Sequence, residues 1–175
     1  MRTKAFLLMA LAGFSLVANA QEKTDRSYPT KRFDYVSIQS QIDDLVAGGK
    51  ANTYHLAKAQ AWLNSSKYEM WRNDMGWWPE ESYKEAVRTV DAIKNQDTAS
   101  LGKTAQLKVE KLVADNLWTE VNSLLKKPKP CAISLIARAE VELVHAAYEK
   151  ETTNFDVDSQ LALVRSLLDR SAACK

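Results

Sequence analysis

The pentapeptide Leu56-Ala57-Lys58-Ala59-Gln60 returns eighty residues later as Ile136-Ala137-Arg138-Ala139-Glu140, and no other feature limits the fold as much. At the same offset Leu63 aligns with Leu143, and Tyr68-Glu69 with Tyr148-Glu149. Further on, Val87-Arg88-Thr89-Val90 is matched by Val164-Arg165-Ser166-Leu167. Apolar residues three and four apart form the buried stripe of a helix, and small alanines between them let a second helix approach closely. The pattern predicts an all-α chain, a helical bundle of two related antiparallel hairpins joined by a long central helix. Only 5 Gly and 4 Pro are present, too few for the many turns of a sandwich or propeller.

Helix boundaries follow from the same spacing. Tyr35, Ile38, Ile42 and Leu45 recur at helical intervals and stop at Gly48-Gly49, a pair suited to a helix end. A second helix is expected from about Asn52 to Trp71, with Leu56, Ala59, Leu63 and Met70 on one side. Pro79 suits the first turn of a third, in which Tyr83, Val87, Val90 and Ile93 share a face. The expected central helix runs from about Ser100 to Lys126, with Ala105, Val109, Leu112, Leu117, Val121 and Leu124 as its stripe, and ends before Pro128. In the closing hairpin Ile133, Ile136, Leu143 and Ala147 face Val157, Leu161, Val164 and Leu168.

The N-terminus reads differently. Arg2 and Lys4 precede an apolar run from Ala5 to Val17 and the small-x-small triplet Ala18-Asn19-Ala20, the pattern of a cleaved secretory signal. Residues 1–20 are therefore expected to be a signal peptide, 21–33 a flexible polar arm, and 34–175 a single all-α domain. The apolar run is short for a bilayer span, and no stable membrane span is expected in the mature chain. Loss of Arg2 and Lys4 takes the formal charge from +2 to 0. A neutral chain lacks the basic excess that phosphate binding requires, so no nucleic-acid partner is expected.

Export brings the two cysteines into an oxidising compartment. Cys131 opens one arm of the second hairpin and Cys174 closes the other. Each arm of nineteen residues is about 28 Å long, so only an antiparallel return brings the thiols together. One structural disulfide is expected, rather than a catalytic Cys-x-x-Cys pair.

Reactive chemistry has little support. Neither His55 nor His145 begins a His-x-x-x-His or Glu-x-x-His arrangement, and both read as surface or seam histidines with no metal role. Asp43-Asp44 and Glu80-Glu81 are neighbours that diverge on a helix, unlike the opposed carboxylates of a hydrolase. No phosphate loop or nucleophile elbow is present. No enzyme activity and no cofactor are expected. The conspicuous feature is Trp71-Arg72-Asn73-Asp74-Met75-Gly76-Trp77-Trp78-Pro79, at the tip between two helices. The indoles could fold back, Trp78 as a staple and Trp71 over the seam. Exposed, Trp71, Trp77, Trp78 and Met75 would form an anchor for a partner, with Arg72, Asn73 and Asp74 as polar contacts.

The stretch Leu56-Ala57-Lys58-Ala59-Gln60-Ala61-Trp62-Leu63, with Tyr68-Glu69 and Arg72-Asn73-Asp74, resembles the helical N-terminal region of OmpA-like bacterial envelope proteins. Asn116-Leu117-Trp118, Cys131-Ala132 and the run from Ala139 to Ala146 are similar to it as well, so the resemblance covers about residues 50 to 174. It implies a periplasmic, envelope-associated protein of a Gram-negative bacterium. Those relatives continue into a peptidoglycan-binding C-terminal domain, of which no residues stand here before Lys175. The expected function is a non-enzymatic adaptor or scaffold that binds another envelope protein. The alternative is a peptidoglycan- or glycan-binding module using the tryptophan-rich tip.

Overall fold

Asp34 turns its carboxylate back onto the backbone N–H of Ser37, at 2.9 Å, and so starts α1, Tyr35–Ala47. This side-chain cap satisfies a donor that the first turn leaves without an intrahelical partner. Phe33, placed by the sequence in the polar arm, is buried and lies 4.9 Å from the Tyr83 ring; Phe33 therefore belongs to the packed domain and not to the arm. The computed structural model describes residues 33–49, 53–72, 74, 76–97, 99–102, 104–153 and 157–174. The expected signal peptide and residues 21–32 of the arm lie outside the described residues, as do Asn73 and Met75.

The described residues are all-α. After α1 come α2 (Thr53–Trp71), α3 (Trp78–Lys94), α4 (Asp115–Leu125), α5 (Ile133–Thr152) and α6 (Asp158–Ala173), with short 3-10 turns at Ala99–Leu101 and Pro130–Ala132. The end of α2 meets the start of α3 where Trp78 Nε1 donates to Ser65 Oγ at 3.0 Å. The start of α2 meets the end of α3 where Leu56 clusters with Ala92 and Ile93. These two helices therefore run antiparallel. A disulfide between Cys131 and Cys174, with Cα atoms 6.1 Å apart, fixes the same relation for α5 and α6. No described helix is long and apolar enough to cross a membrane.

The long central helix does not form. Of its expected stripe only Leu117, Val121 and Leu124 lie on α4, while residues 104–114 run irregularly. Leu107 and Ala114 adopt φ of 53° and 56°, a left-handed conformation that a continuous helix excludes. Tertiary contacts hold the segment there. Val109 is buried in the main core, and Thr104 Oγ1 donates to Glu140 at 2.6 Å. The backbone N–H of Lys111 donates to Glu151 at 2.9 Å.

The centre of the bundle is instead α5, which packs on α2, α4 and α6. Ile136, Ala139, Leu143, Val144 and Ala147 are fully buried along it. Its partner α2 lies alongside in the same direction, since Tyr54 and Lys58 reach Glu140 and Arg72 reaches Glu149. Matching positions of the two arms are buried alike: Ala59 with Ala139, Leu63 with Leu143, Glu69 with Glu149. Tyr68 and Tyr148 differ, being 53% and 3% exposed.

Candidate functional site

The tryptophan-rich tip separates into an inner and an outer part. Trp78 is completely buried, stacked on the His145 ring at 4.7 Å and on Tyr148 at 5.1 Å. It is a core residue, not the exposed anchor expected. Pro79 fixes the start of α3, and the apolar indole gains more from the seam than from water. Trp77 is half-buried, edge-on to Tyr148 at 4.9 Å. Asp74 accepts from Tyr148 Oη at 2.8 Å and from the Gly76 N–H at 2.7 Å, which ties the turn to α5. A Cβ at Gly76 would run into the Tyr148 hydroxyl. Trp71 alone points outward, 75% exposed, and so does not cover the seam.

Beneath this turn the structure assembles residues that the sequence reading treated separately. His145, on α5, has a side chain 4% exposed. Its Nε2 lies 3.3 Å from Glu69 Oε1 on α2 and 3.7 Å from Glu149 Oε1 one turn further along α5. Nε2 is buried with no hydrogen-bond partner; the Glu69 oxygen is near it but off the line of a ring N–H. On the other ring nitrogen, Nδ1, Gln160 Nε2 stands at 2.8 Å and Glu142 Oε2 at 3.9 Å. Arg72 completes the group, with its NH1 nitrogen 3.0 Å from Glu69 Oε1 and 2.9 Å from Glu149 Oε1.

The electrostatics follow from this crowding of carboxylates. Burial acts to strip His145 of its proton, but the Glu142 and Glu69 carboxylates more than offset it and push the imidazole up to about 9. Burial likewise opposes ionisation of Glu69, yet His145 and Arg72 hold it below the usual carboxylate range. Tyr148 is pushed up by burial and by Asp74. His55 shares none of this: it is half-buried at the start of α2, and burial, then the Lys58 and Arg88 cations, lower it.

Arg72, Glu142, His145, Glu149 and Gln160 line a groove of about 750 Å³ bounded by α2, α5 and α6. Tyr68 and Arg72 stand on one edge, Arg138 and Glu142 on its floor, Gln160 and Leu163 opposite. Sequence reasoning missed Glu69, Glu142, His145 and Glu149 as a group. The signal was present as Glu142-x-x-His145-x-x-x-Glu149 on one helix, together with the eighty-residue offset that pairs Glu149 with Glu69. The Glu-x-x-His spacing is thus present after all, with His145 closing it rather than beginning it.

An all-α bundle with a buried histidine–carboxylate cluster under an open groove is the class that fold and site define. No protein-family model, curated protein or solved structure matches the chain.

Proposed function

We propose that this protein is a non-enzymatic adaptor of the periplasmic envelope, which receives another envelope protein along the α2 edge of the groove. One observation carries the reading: Tyr68, Trp71 and Arg72 fall within five residues at the end of α2, and the aromatic pair is 53% and 75% exposed. Tyr, Trp and Arg are the residues that dominate binding energy at protein interfaces, because each contributes large area with few torsions to immobilise. The Arg72 guanidinium lies 5.6 Å over the Tyr68 ring, which pre-orders both. Charged groups in the groove are paired locally, Arg138 with Glu142 at 3.4 Å and Arg72 with Glu69 and Glu149. That arrangement favours recognition over acid–base chemistry. The resemblance of residues 50 to 174 to OmpA-like envelope proteins and the signal-like N-terminus support the compartment.

The test is photocrosslinking in living cells from a probe at position 71, with adducts identified by mass spectrometry. A specific protein adduct, lost when Tyr68 is changed to Ala, is the expected result. Absence of any protein adduct, together with retention of the purified protein on isolated sacculi, would replace the reading with the glycan-binding alternative.

A further inference from the structure

The adaptor reading uses Arg72 at the rim of the cluster, but the buried His145 and the carboxylates around it have a chemistry of their own. The Nε2 atom of His145 and one oxygen each of Glu69 and Glu149 all lie within 4.8 Å of one another. In a tetrahedral site with bonds of about 2.0–2.1 Å, neighbouring donor atoms stand roughly 3.3 Å apart. The two Nε2–oxygen separations, 3.3 and 3.7 Å, are already at or near that value, and glutamate torsions supply the remaining adjustment. We propose that Glu69, His145 and Glu149 bind a first-row divalent cation, for which Zn²⁺ is the matching probe.

Three independent features point the same way. The first is the buried Nε2, which faces two carboxylate oxygens at 3.3 and 3.7 Å; carboxylates crowded on one buried nitrogen favour positive charge there, and a metal would take the place of the ring proton. The second is the far side of the ring, where Gln160 and Glu142 hold Nδ1. With the Gln160 amide turned to present its oxygen, Nδ1–H donates to it and Nε2 is left for the metal; an outer partner of this kind orients a metal-bound imidazole. The third is Arg72, whose NH1 nitrogen bridges both glutamates. It marks a position where the protein already accommodates positive charge, and with a side chain 38% exposed it is a cation that a metal competes with for the two carboxylates. A mixed imidazole and carboxylate set suits Zn²⁺ rather than the all-oxygen preference of Mg²⁺ or Ca²⁺. Three protein ligands leave coordination positions on the Arg72 side, open to the groove.

The experiment titrates Zn²⁺ into untagged, chelator-stripped full-length mature protein at neutral pH by calorimetry. One equivalent is expected to bind, and the fluorescence of Trp78, stacked on His145, is expected to change in step. His145→Gln and Glu149→Gln should each weaken binding by at least about tenfold, as loss of site residues does elsewhere. Arg72→Ala should tighten it, because the competing cation is gone, whereas His55→Gln should leave it unchanged. If His145→Gln does not fold by circular dichroism, Glu149→Gln and Arg72→Ala decide the matter. The proposal is overturned if no saturable site appears, if the site survives both ligand substitutions, or if His55→Gln abolishes it. None of these outcomes alters the crosslinking result, so the two readings stand or fall separately.

Discussion

Two tryptophans seven residues apart on one turn have opposite physical roles. Trp78 has lost all its exposure, fills the space over His145 and Tyr148, and satisfies its indole N–H on Ser65. Trp71 keeps three quarters of its surface in water. Trp78→Ala should therefore cost about 3–5 kcal/mol, the range for emptying a large aromatic site in a core. Trp71→Ala should change stability by less than about 0.5 kcal/mol while removing the partner adduct. Urea denaturation of both variants checks the contrast; equal costs would contradict the division of the tip. The sequence shows that the tryptophans cluster, but it cannot sort them. What sorts them is contact with His145 and Tyr148, near the far end of the chain and brought close only by the pairing of α2 with α5.

At the scale of elements, the helices announced by periodicity form, except that the central one is helical only over Asp115–Leu125, and one helix end carries strain. The C-terminus of α3 closes with Gln96 donating to Ile93 O at 3.2 Å and Asp97 to Ala92 O at 2.9 Å, the paired bonds of a Schellman turn. That turn needs a left-handed residue, and here a glutamine at φ 55° fills the position glycine prefers. Gln96→Gly should stabilise the protein by about 0.5–1 kcal/mol, the relief of left-handed strain less the added freedom of the unfolded chain. A thermal melt would register this as a rise of roughly 1–4 °C, and a fall would mean that the Gln96 side chain makes a contact worth more than the strain. Left-handed residues, Leu107 and Ala114, also mark the part of the expected central helix that is missing. The stripe from Ala105 to Leu124 is amphipathic over its whole length, so local pattern favours a helix throughout. Burial of Val109 and the bonds from Thr104 to Glu140 and from Lys111 to Glu151 win over that preference. Each of those partners is distant in sequence, which puts the decision beyond what a local pattern carries.

Across the whole molecule, the disulfide and the histidine–carboxylate cluster act on the same helix from opposite ends. Cys131 sits before α5 and Cys174 after α6, so the bridge clamps the start of α5 to the finish of α6. Gln160 and His145 join the other halves of those helices, beside the groove. The cysteine arrangement was legible because two thiols and an antiparallel pair leave one pairing. The cluster was not, because it needs α2 to supply Glu69. Replacing both cysteines by serine removes a cross-link between residues 43 apart, and on the loop-entropy model this should cost about 4 kcal/mol. The loss should also be uneven. Amide exchange should accelerate most around residues 130–136 and 167–174, where the clamp acts directly. The amides of 143–149 should keep more of their protection, since Trp78, Gln160 and Arg72 hold that stretch without the bridge. Hydrogen exchange read by mass spectrometry distinguishes the two cases. A uniform loss of protection would mean that the bundle opens as one cooperative unit, and that the cluster contributes no local stability of its own.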